Sequence, residues 1–280
     1  NNKSGKAGRS SSDILSLSET FTANYRWALN DNHSLNFLLG QEGIDYRSTG
    51  FQVTTQGQNN DRLTNLLSGT RAISWPDSNS AYAYLSFFFR GEYNYKELYY
   101  AEVAARTDAS SRFGKDHRWG MFWSLGFMWN IKNEAFLKDI EWLTNAQIKL
   151  STGTSGNSEI PYYDHLALVA GDANYNDEAG IYPKQSGNEE LSWEQTWANN
   201  IGLTLGFFNR VNLNVDFYHK KTTNMLMLVP QSYAITGVGN RWDNIGAMMN
   251  RGVEIAMDGD VIRTKDFTWN LSANVSYNKN

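Results

Sequence analysis

Four histidines, His33, His117, His165 and His219, are the side chains best suited to proton transfer or metal ligation, and each stands alone. No two fall at i, i+4 and no HExxH occurs, so the spacing of a helix-borne zinc site is missing. Cysteine is absent, which removes disulfides, thiolate metal sites and a thiol nucleophile together. Gly153 and Ser155 begin a G-x-S-x-G pattern, but Asn157 takes the place of the second glycine, and the nucleophile-elbow reading fails. Asp172, Asn174 and Asn176 open like a calcium-binding loop. Asp177 then stands where the sharp turn demands glycine, and Pro183 where a bidentate glutamate belongs. What remains is a loose oxygen-donor set of Asp172, Asp177 and Glu178. Carboxylates are scattered, with no pair tied to one pocket and no phosphate-cradling glycine loop. No cofactor, no metal and no catalysis are expected.

Aromatic side chains in polar stretches are the more informative chemistry. Trp75, Tyr162, Tyr163, Tyr175, Tyr182, Tyr233 and Trp242 lie where neither lipid nor a packed core accounts for them. A ring with a polar rim stacks on a sugar or packs against a partner protein. The alternative is packing within their own loops. Both uses are kept open, with Trp75, Tyr162, Tyr163, Tyr175, Tyr182 and Trp242 as candidate contacts to substrate or to a covering protein.

The elements that must carry these loops show a period of two. From Leu15 the alternate residues Leu15, Leu17, Glu19, Phe21, Ala23, Tyr25, Trp27 and Leu29 are apolar or aromatic except Glu19, and those between them are mostly small and polar. A helix would repeat at 3.6 residues. Asn30, Asp31 and Asn32 tolerate a left-handed turn, after which alternation resumes at Leu35, Phe37 and Leu39. The pattern recurs at 81–93, 99–106, 119–131, 146–150, 193–207, 211–217, 249–257 and 267–277. This gives an all-β antiparallel fold of about ten long strands in five hairpins. The joints near 30–32, 94–97 and 208–210 are short, and 131–145 and 258–266 are moderate. The segment 107–118 is intermediate, and 47–79, 155–190 and 225–247 are long. Such alternation of short and long connections is the habit of an outer-membrane barrel, with short periplasmic turns and long external loops.

Composition agrees. The 280 residues include 14 Phe, 15 Tyr and 10 Trp but only 4 Pro, which suits long strands. Lys and Arg total 25 against 29 Asp and Glu, a net charge of −4, so no nucleic-acid footprint is present. The longest wholly apolar run, Met225 to Val229, is far short of a membrane helix, which leaves strands as the only means of crossing lipid. Fifteen residues tilted near 45° rise roughly 35 Å, more than an apolar band of about 25 Å. The odd-numbered apolar positions from Leu15 to Tyr277 are expected to face lipid. Even-numbered ones such as Asn270, Ser272 and Asn274 are expected to face a wide lumen. Trp27, Tyr93, Trp129, Phe207 and Trp269 fall at the short-turn ends, as an interfacial girdle would. The alternative is a soluble β-rich glycan-binding or adhesive domain.

Several segments resemble the SusC/RagA branch of TonB-dependent outer-membrane transporters. Residues Arg106 to Gly114 are similar to that branch's R-x-D-G-S-S-R-F-G stretch, with Ala109 in place of its glycine. Trp129, Glu134, Phe136, Lys149 and Gly153 to Asn157 follow, although Trp123 stands where proline is usual. Leu191 to Glu194, Asn200 to Leu203, Phe207 to Asn209, Asp216 to Thr222, Asn244 to Gly246, Asn250 to Glu254 and Ser276 to Asn280 continue in order. The resemblance implies a barrel of about 22 strands enclosing a plug. Residues 1–280 are then expected to be part of one barrel domain, with the plug and the remaining strands outside this chain. Asn1 to Ser12 is polar and has no apolar leader core, as expected if a leader has been removed by processing or if this is an internal piece of something longer. The resemblance further implies residence in the bacterial outer membrane and import of glycans or peptides beneath a SusD-like surface lipoprotein. Energy would come from the TonB complex through parts outside this chain.

Overall fold

A computed structural model of the chain describes residues 5–60, 62–176 and 178–280. Ten long strands pair with their sequence neighbours: β1 (Gly5–Asn30), β2 (His33–Gln58), β4 (Asp77–Tyr95), β5 (Tyr99–Ser110), β6 (Trp119–Asn130), β7 (Leu143–Asn157), β10 (Glu194–Phe207), β11 (Val211–Thr223), β14 (Ala247–Arg263) and β15 (Thr268–Lys279). The short β3 (Arg71–Ser74) hooks onto β2. Two further hairpins stand apart, β8 (Leu168–Tyr175) with β9 (Glu178–Gln185) and β12 (Leu226–Pro230) with β13 (Asn240–Asn244). A single helical turn, α1 (Tyr233–Thr236), lies inside the second of these. The ten-strand, five-hairpin expectation holds.

Two compact units divide the chain, Asn1–Glu19 with Glu42–Leu85, and Thr20–Gln41 with Ser86–Asn280. In the first, Tyr46 stacks on Tyr82 at 4.8 Å, and the Thr55 hydroxyl donates to the Leu66 carbonyl at 2.9 Å. The second holds most of the sheet.

Cross-strand register in the second unit shows how the two faces divide. Tyr99, Trp129, Ile148, Leu203, Val215, Ile255 and Val275 are successive partners across seven strands. One residue further along each strand from β7 onward, Lys149, Gly202, Asp216, Glu254 and Ser276 are partners on the opposite face. One face is therefore apolar and the other polar, as the period of two requires. The numbering does not hold its phase throughout, however. On β7 the apolar face falls on even residues, because Leu125 pairs with Thr152 and Trp129 with Ile148. The connection before β7 is a compact turn in which the Lys132 ammonium donates to the carbonyls of Leu137, Lys138 and Ile140. Its length follows from that capping, not from a two-residue hairpin, and nothing holds the parity. A bulge between Asp260 and Ile262 shifts the phase again, pairing Ile262 with Trp269.

Several strands outrun their alternating segments. β2 reaches Gln58 and β14 reaches Arg263, so the joints expected at 47–79 and 258–266 are shorter than their polarity suggested. Main-chain pairing needs no hydrophobic contrast, and a strand with polar residues on both faces is invisible to the period. The expected loops 155–190 and 225–247 each enclose a hairpin; in the second, Leu226 to Val229 are apolar on both faces, which hides the period equally well. The left-handed turns also differ from expectation. Asp31 and Asn32 do not adopt positive φ. Lys96 and Glu97 (φ 53° and 56°) and Phe208 and Asn209 (φ 55° and 54°) do, forming the two-residue turns that match strand twist.

At this short-turn end Tyr95 stacks on Tyr99 at 6.3 Å and Tyr99 on Trp129 at 6.1 Å. The Glu134 carboxylate accepts from the Tyr99 hydroxyl at 2.6 Å and the Trp129 indole at 3.0 Å. Trp142 lies flat on Phe207 at 6.1 Å. Within the second unit the tight turns and these aromatic rings occupy one end of the strands, and the connections 111–118, 158–193 and 224–246 occupy the other.

Candidate functional site

The long connections of the second unit are built on the segment Arg106–Gly114. Arg106 donates through Nε to Asp108 at 2.6 Å and through Nη2 to the Ser86 hydroxyl at 3.0 Å, which locks the end of β5 to β4. Ser110 is fully buried and its N–H donates to the Arg118 carbonyl at 3.1 Å. Arg112, only 8% exposed, donates to the carbonyls of Ser158 and Ile160 at 3.3 and 3.1 Å, and its guanidinium carbon sits 5.0 Å from the Tyr162 ring. A buried guanidinium satisfies several loop carbonyls at once, which a shorter side chain could not. Phe113 is fully buried with Ile160 and Leu191, and Trp193, Leu226 and Trp242 pack around them. At Gly114 a Cβ would collide with the main-chain oxygen of Glu189, so only glycine fits there.

Asparagine amides fasten the second long connection to the first. Asn188 donates to the Trp242 carbonyl at 3.0 Å and to the Asp243 carboxylate at 2.5 Å. Asn244 accepts from the Ser192 N–H and donates to the Ser192 carbonyl, both at 2.8 Å, with Asn224 O at 2.9 Å as a further acceptor. Glu194 accepts from the Leu226 N–H at 3.0 Å. Together these hold the β12–β13 hairpin against the start of β10. Beside the cluster, His165 Nδ1 lies 3.1 Å from the Arg112 carbonyl. Burial pulls the His165 pKa below its ordinary value, and the Arg118 charge adds to that, against the Arg112 hydrogen bond and the Asp164 and Glu189 charges. Burial likewise raises the Asp164 carboxyl.

The candidate aromatics separate by position. Trp242 is partly buried in the loop core, and Tyr162 covers Arg112 while meeting Tyr163 edge-on at 6.4 Å. Tyr163, Tyr182 and Tyr233 keep 36%, 39% and 68% of their surface exposed on the same loop system. Trp75, in the first unit between β3 and β4, is 70% exposed. Tyr175 closes β8. Of the loose cation set, Asp172 lies on β8 and Glu178 opens β9, while Asp177 lies outside the described residues. Among the described residues no group of three or more acidic or histidine side chains is placed to hold a metal ion.

Arg112, Asn188 and Asn244 lie within motifs or loops where sequence alone assigns them no task. The available signal was an arginine beside Phe113 and Gly114 in a turn segment, where a purely solvated charge has no reason to neighbour an apolar ring. The cluster as built is an ordered platform of loops carrying exposed tyrosines.

The family model described as TonB dependent receptor-like, beta-barrel matches residues 1–280. The TonB-dependent receptor P39 of Formosa agariphila is 34% identical over 267 residues, covering 92% of this chain and 25% of the relative. The TonB-dependent receptor SusC of Bacteroides thetaiotaomicron is 32% identical over 292 residues, covering 100% of this chain and 28% of the relative. Among solved structures, the RagAB peptide importer in its closed-closed state is 36% identical with a TM-score of 0.92, over 98% of this chain and 31% of that one. The chain thus spans about a quarter of the length of the curated relatives it matches. Matched along its whole length, it belongs to the TonB-dependent receptor-like β-barrel family, a SusC-type member of the outer membrane of Gram-negative bacteria.

Proposed function

We propose that the protein containing this chain imports oligosaccharides or oligopeptides across the outer membrane, drawing energy through TonB and working under a SusD-like surface lipoprotein. The chain contributes part of the barrel wall and a share of the external loops. The plug, the remaining strands and the segment that contacts TonB lie elsewhere in the protein. The observation that carries this reading is the likeness to the RagAB peptide importer, 36% identical over 98% of the chain at TM-score 0.92. Likeness to SusC points the same way. The relatives are receptors and importers, which favours transport over catalysis.

The apolar face of the sheet is the lipid-facing one on this reading. Buried apolar side chains among the described residues are few, whereas Phe21, Ile201, Phe217, Val275 and Tyr277 keep 65%, 55%, 51%, 68% and 66% of their surface. A soluble sandwich would bury that face, and nothing supports the soluble alternative. Exposed Tyr163, Tyr182 and Tyr233, and Trp75 in the first unit, serve as contacts to substrate or lipoprotein. Tyr162 and Trp242 hold the loops that present them.

Purification of the full-length protein from outer membranes tests the reading. Stoichiometric recovery of a surface lipoprotein is expected, together with uptake of labelled oligosaccharide or oligopeptide that a protonophore abolishes. Uptake indifferent to the protonophore would reject TonB-driven import.

A further inference from the structure

The apolar face carries a row of basic side chains at one height. His219 pairs with Arg251 across β11 and β14, and Arg251 with Lys279 across β14 and β15. Asn199 continues the row onto β10, and Lys221 stands one step beyond it, opposite Met249. The step on the other side is apolar, formed by Ile201, Phe217, Val253 and Tyr277. From β10 to β15 this face holds no carboxylate in the paired register. Asp216, Glu254 and Asp258 all occupy the opposite face. Among the described residues none of these basic side chains is ion-paired.

Cations without partners on a lipid-facing surface are costly in hydrocarbon and cheap at the interface, where long stems reach the headgroups. Their height therefore marks the outer boundary of the apolar band, on the side of the long loops. A shallow cavity of about 610 Å³ lies at this boundary, with Ile201, Phe217 and Val253 on one side and His219, Arg251 and Lys279 on the other. Neighbouring strands are about 4.8 Å apart, so the three basic groups span roughly 10 Å. A guanidinium flanked by an ammonium and an imidazole N–H suits phosphate oxygens, and the adjoining rings and aliphatics suit acyl chains.

We propose that this groove is a binding site for a phosphorylated lipid of the outer leaflet, its phosphate held by Arg251, Lys279 and His219 and its acyl chains lying over Phe217, Val253 and Ile201. A soluble anion would have no use for the apolar half. The complementarity is of charge and hydropathy together. The site rests on the reading that the apolar face meets lipid.

The experiment uses the full-length receptor in nanodiscs of zwitterionic lipid doped with a phosphorylated glycolipid, read by native mass spectrometry. The wild type should retain the lipid. In Arg251→Gln with Lys279→Gln, retention should fall at least about tenfold, the loss of one charge-assisted hydrogen bond or more. Lys220→Gln on the opposite face should leave it unchanged. The enzymatically dephosphorylated lipid should not be retained, and millimolar inorganic phosphate should not displace the intact one. Equal retention by wild type and double variant, or by phosphorylated and dephosphorylated lipid, would overturn the site. Displacement by inorganic phosphate would mean a plain anion site and would overturn it too. Folding is checked by heat-modifiable migration. A spin label at Ile255→Cys separates the two readings: a label accessible to oxygen and shielded from a water-soluble relaxant, with no loss of lipid in the double variant, refutes the site alone. A label exposed to the water-soluble relaxant refutes the lipid-facing assignment itself.

Discussion

The indole N–H of Trp193 donates to the main-chain oxygen of Arg118 at 2.8 Å, fastening the start of β10 to the loop that follows Arg106–Gly114. The same ring meets Phe122 edge-on and tilts against Phe113, each at 5.4 Å. One side chain thereby joins two strands and two loops at the rim of the barrel wall. Rigid walls with loops locked onto them are how binding surfaces are usually held in place.

Replacing Trp193 by alanine should cost the loop core about 2–4 kcal/mol, less than a fully buried aromatic because this one is only partly enclosed. The barrel itself, held by its ladder, should still form. Limited proteolysis would show faster cutting within 158–192 and 224–246 while heat-modifiable migration stays normal. Loss of the folded barrel would place Trp193 in the wall's own stability instead.

Orientation of the faces gives a second expectation. Val215 lies between Leu203 and Ile255 on the apolar face, and Val215→Arg should cost about 2–4 kcal/mol if that face meets lipid near midplane. Ser272→Arg, opposite Asp258 on the polar face, should cost far less. Equilibrium unfolding in bilayers measures both, and equal losses would reject the assignment.

The short turns should face the periplasm and the loop cluster the exterior. Cysteine at Ser232, exposed beside α1, should react on whole cells with an impermeant thiol reagent. Cysteine at Asp31 should react only after the outer membrane is opened. The absence of native cysteine in this chain makes the contrast clean.

Exposed and packed tyrosines should behave differently. Alanine at Tyr182 and Tyr233 should weaken binding of substrate or lipoprotein by about five- to thirtyfold without changing receptor level, the usual worth of an interfacial aromatic. Alanine at Trp242 should instead loosen the loops first. Isothermal titration beside a proteolysis profile distinguishes the two effects, and unchanged affinity in the double tyrosine variant would confine those rings to the loop surface.

Acidification should loosen the same cluster. The folded state holds the His165 pKa below its ordinary value, so the unfolded loop binds the proton first. Loop stability is therefore fully present above about pH 6.5 and declines as pH falls from there toward the folded pKa. Asp164, raised by burial, acts in the opposite sense at lower pH, where protonation relieves its buried charge. Hydrogen exchange corrected for intrinsic rates should show lost protection near residues 158–192 at about pH 5.5 relative to about pH 7.5. His165→Gln should flatten that difference, and an unchanged profile in the variant would remove His165 as its source.

The amino-acid sequence by itself determined the strands whose two faces differ. Alternation from Leu15 to Leu29, or from Trp119 to Trp129, admits only an extended chain at the boundary between two media, and the ten strands follow from it. It also determined that the segments between them would be polar and of alternating length. It could not show where the strands end, since in the stretch from Gly50 to Gln58 only Phe51 and Val53 mark the apolar face and the polar remainder continues the strand. Register was likewise out of reach: Ala146, Ile148 and Leu150 show an even apolar phase in β7, but only the pairing of Leu125 with Thr152 and Trp129 with Ile148 shows that this phase continues the odd face of β6. Above all, the task of Arg106–Gly114 emerged only in three dimensions. Arg112 reaches carbonyls 46 and 48 residues away, and Gly114 is required by a main-chain oxygen at Glu189. Those distances in sequence are closed by strand pairing, and only strand pairing could show which loop aromatics hold the platform and which remain on its surface.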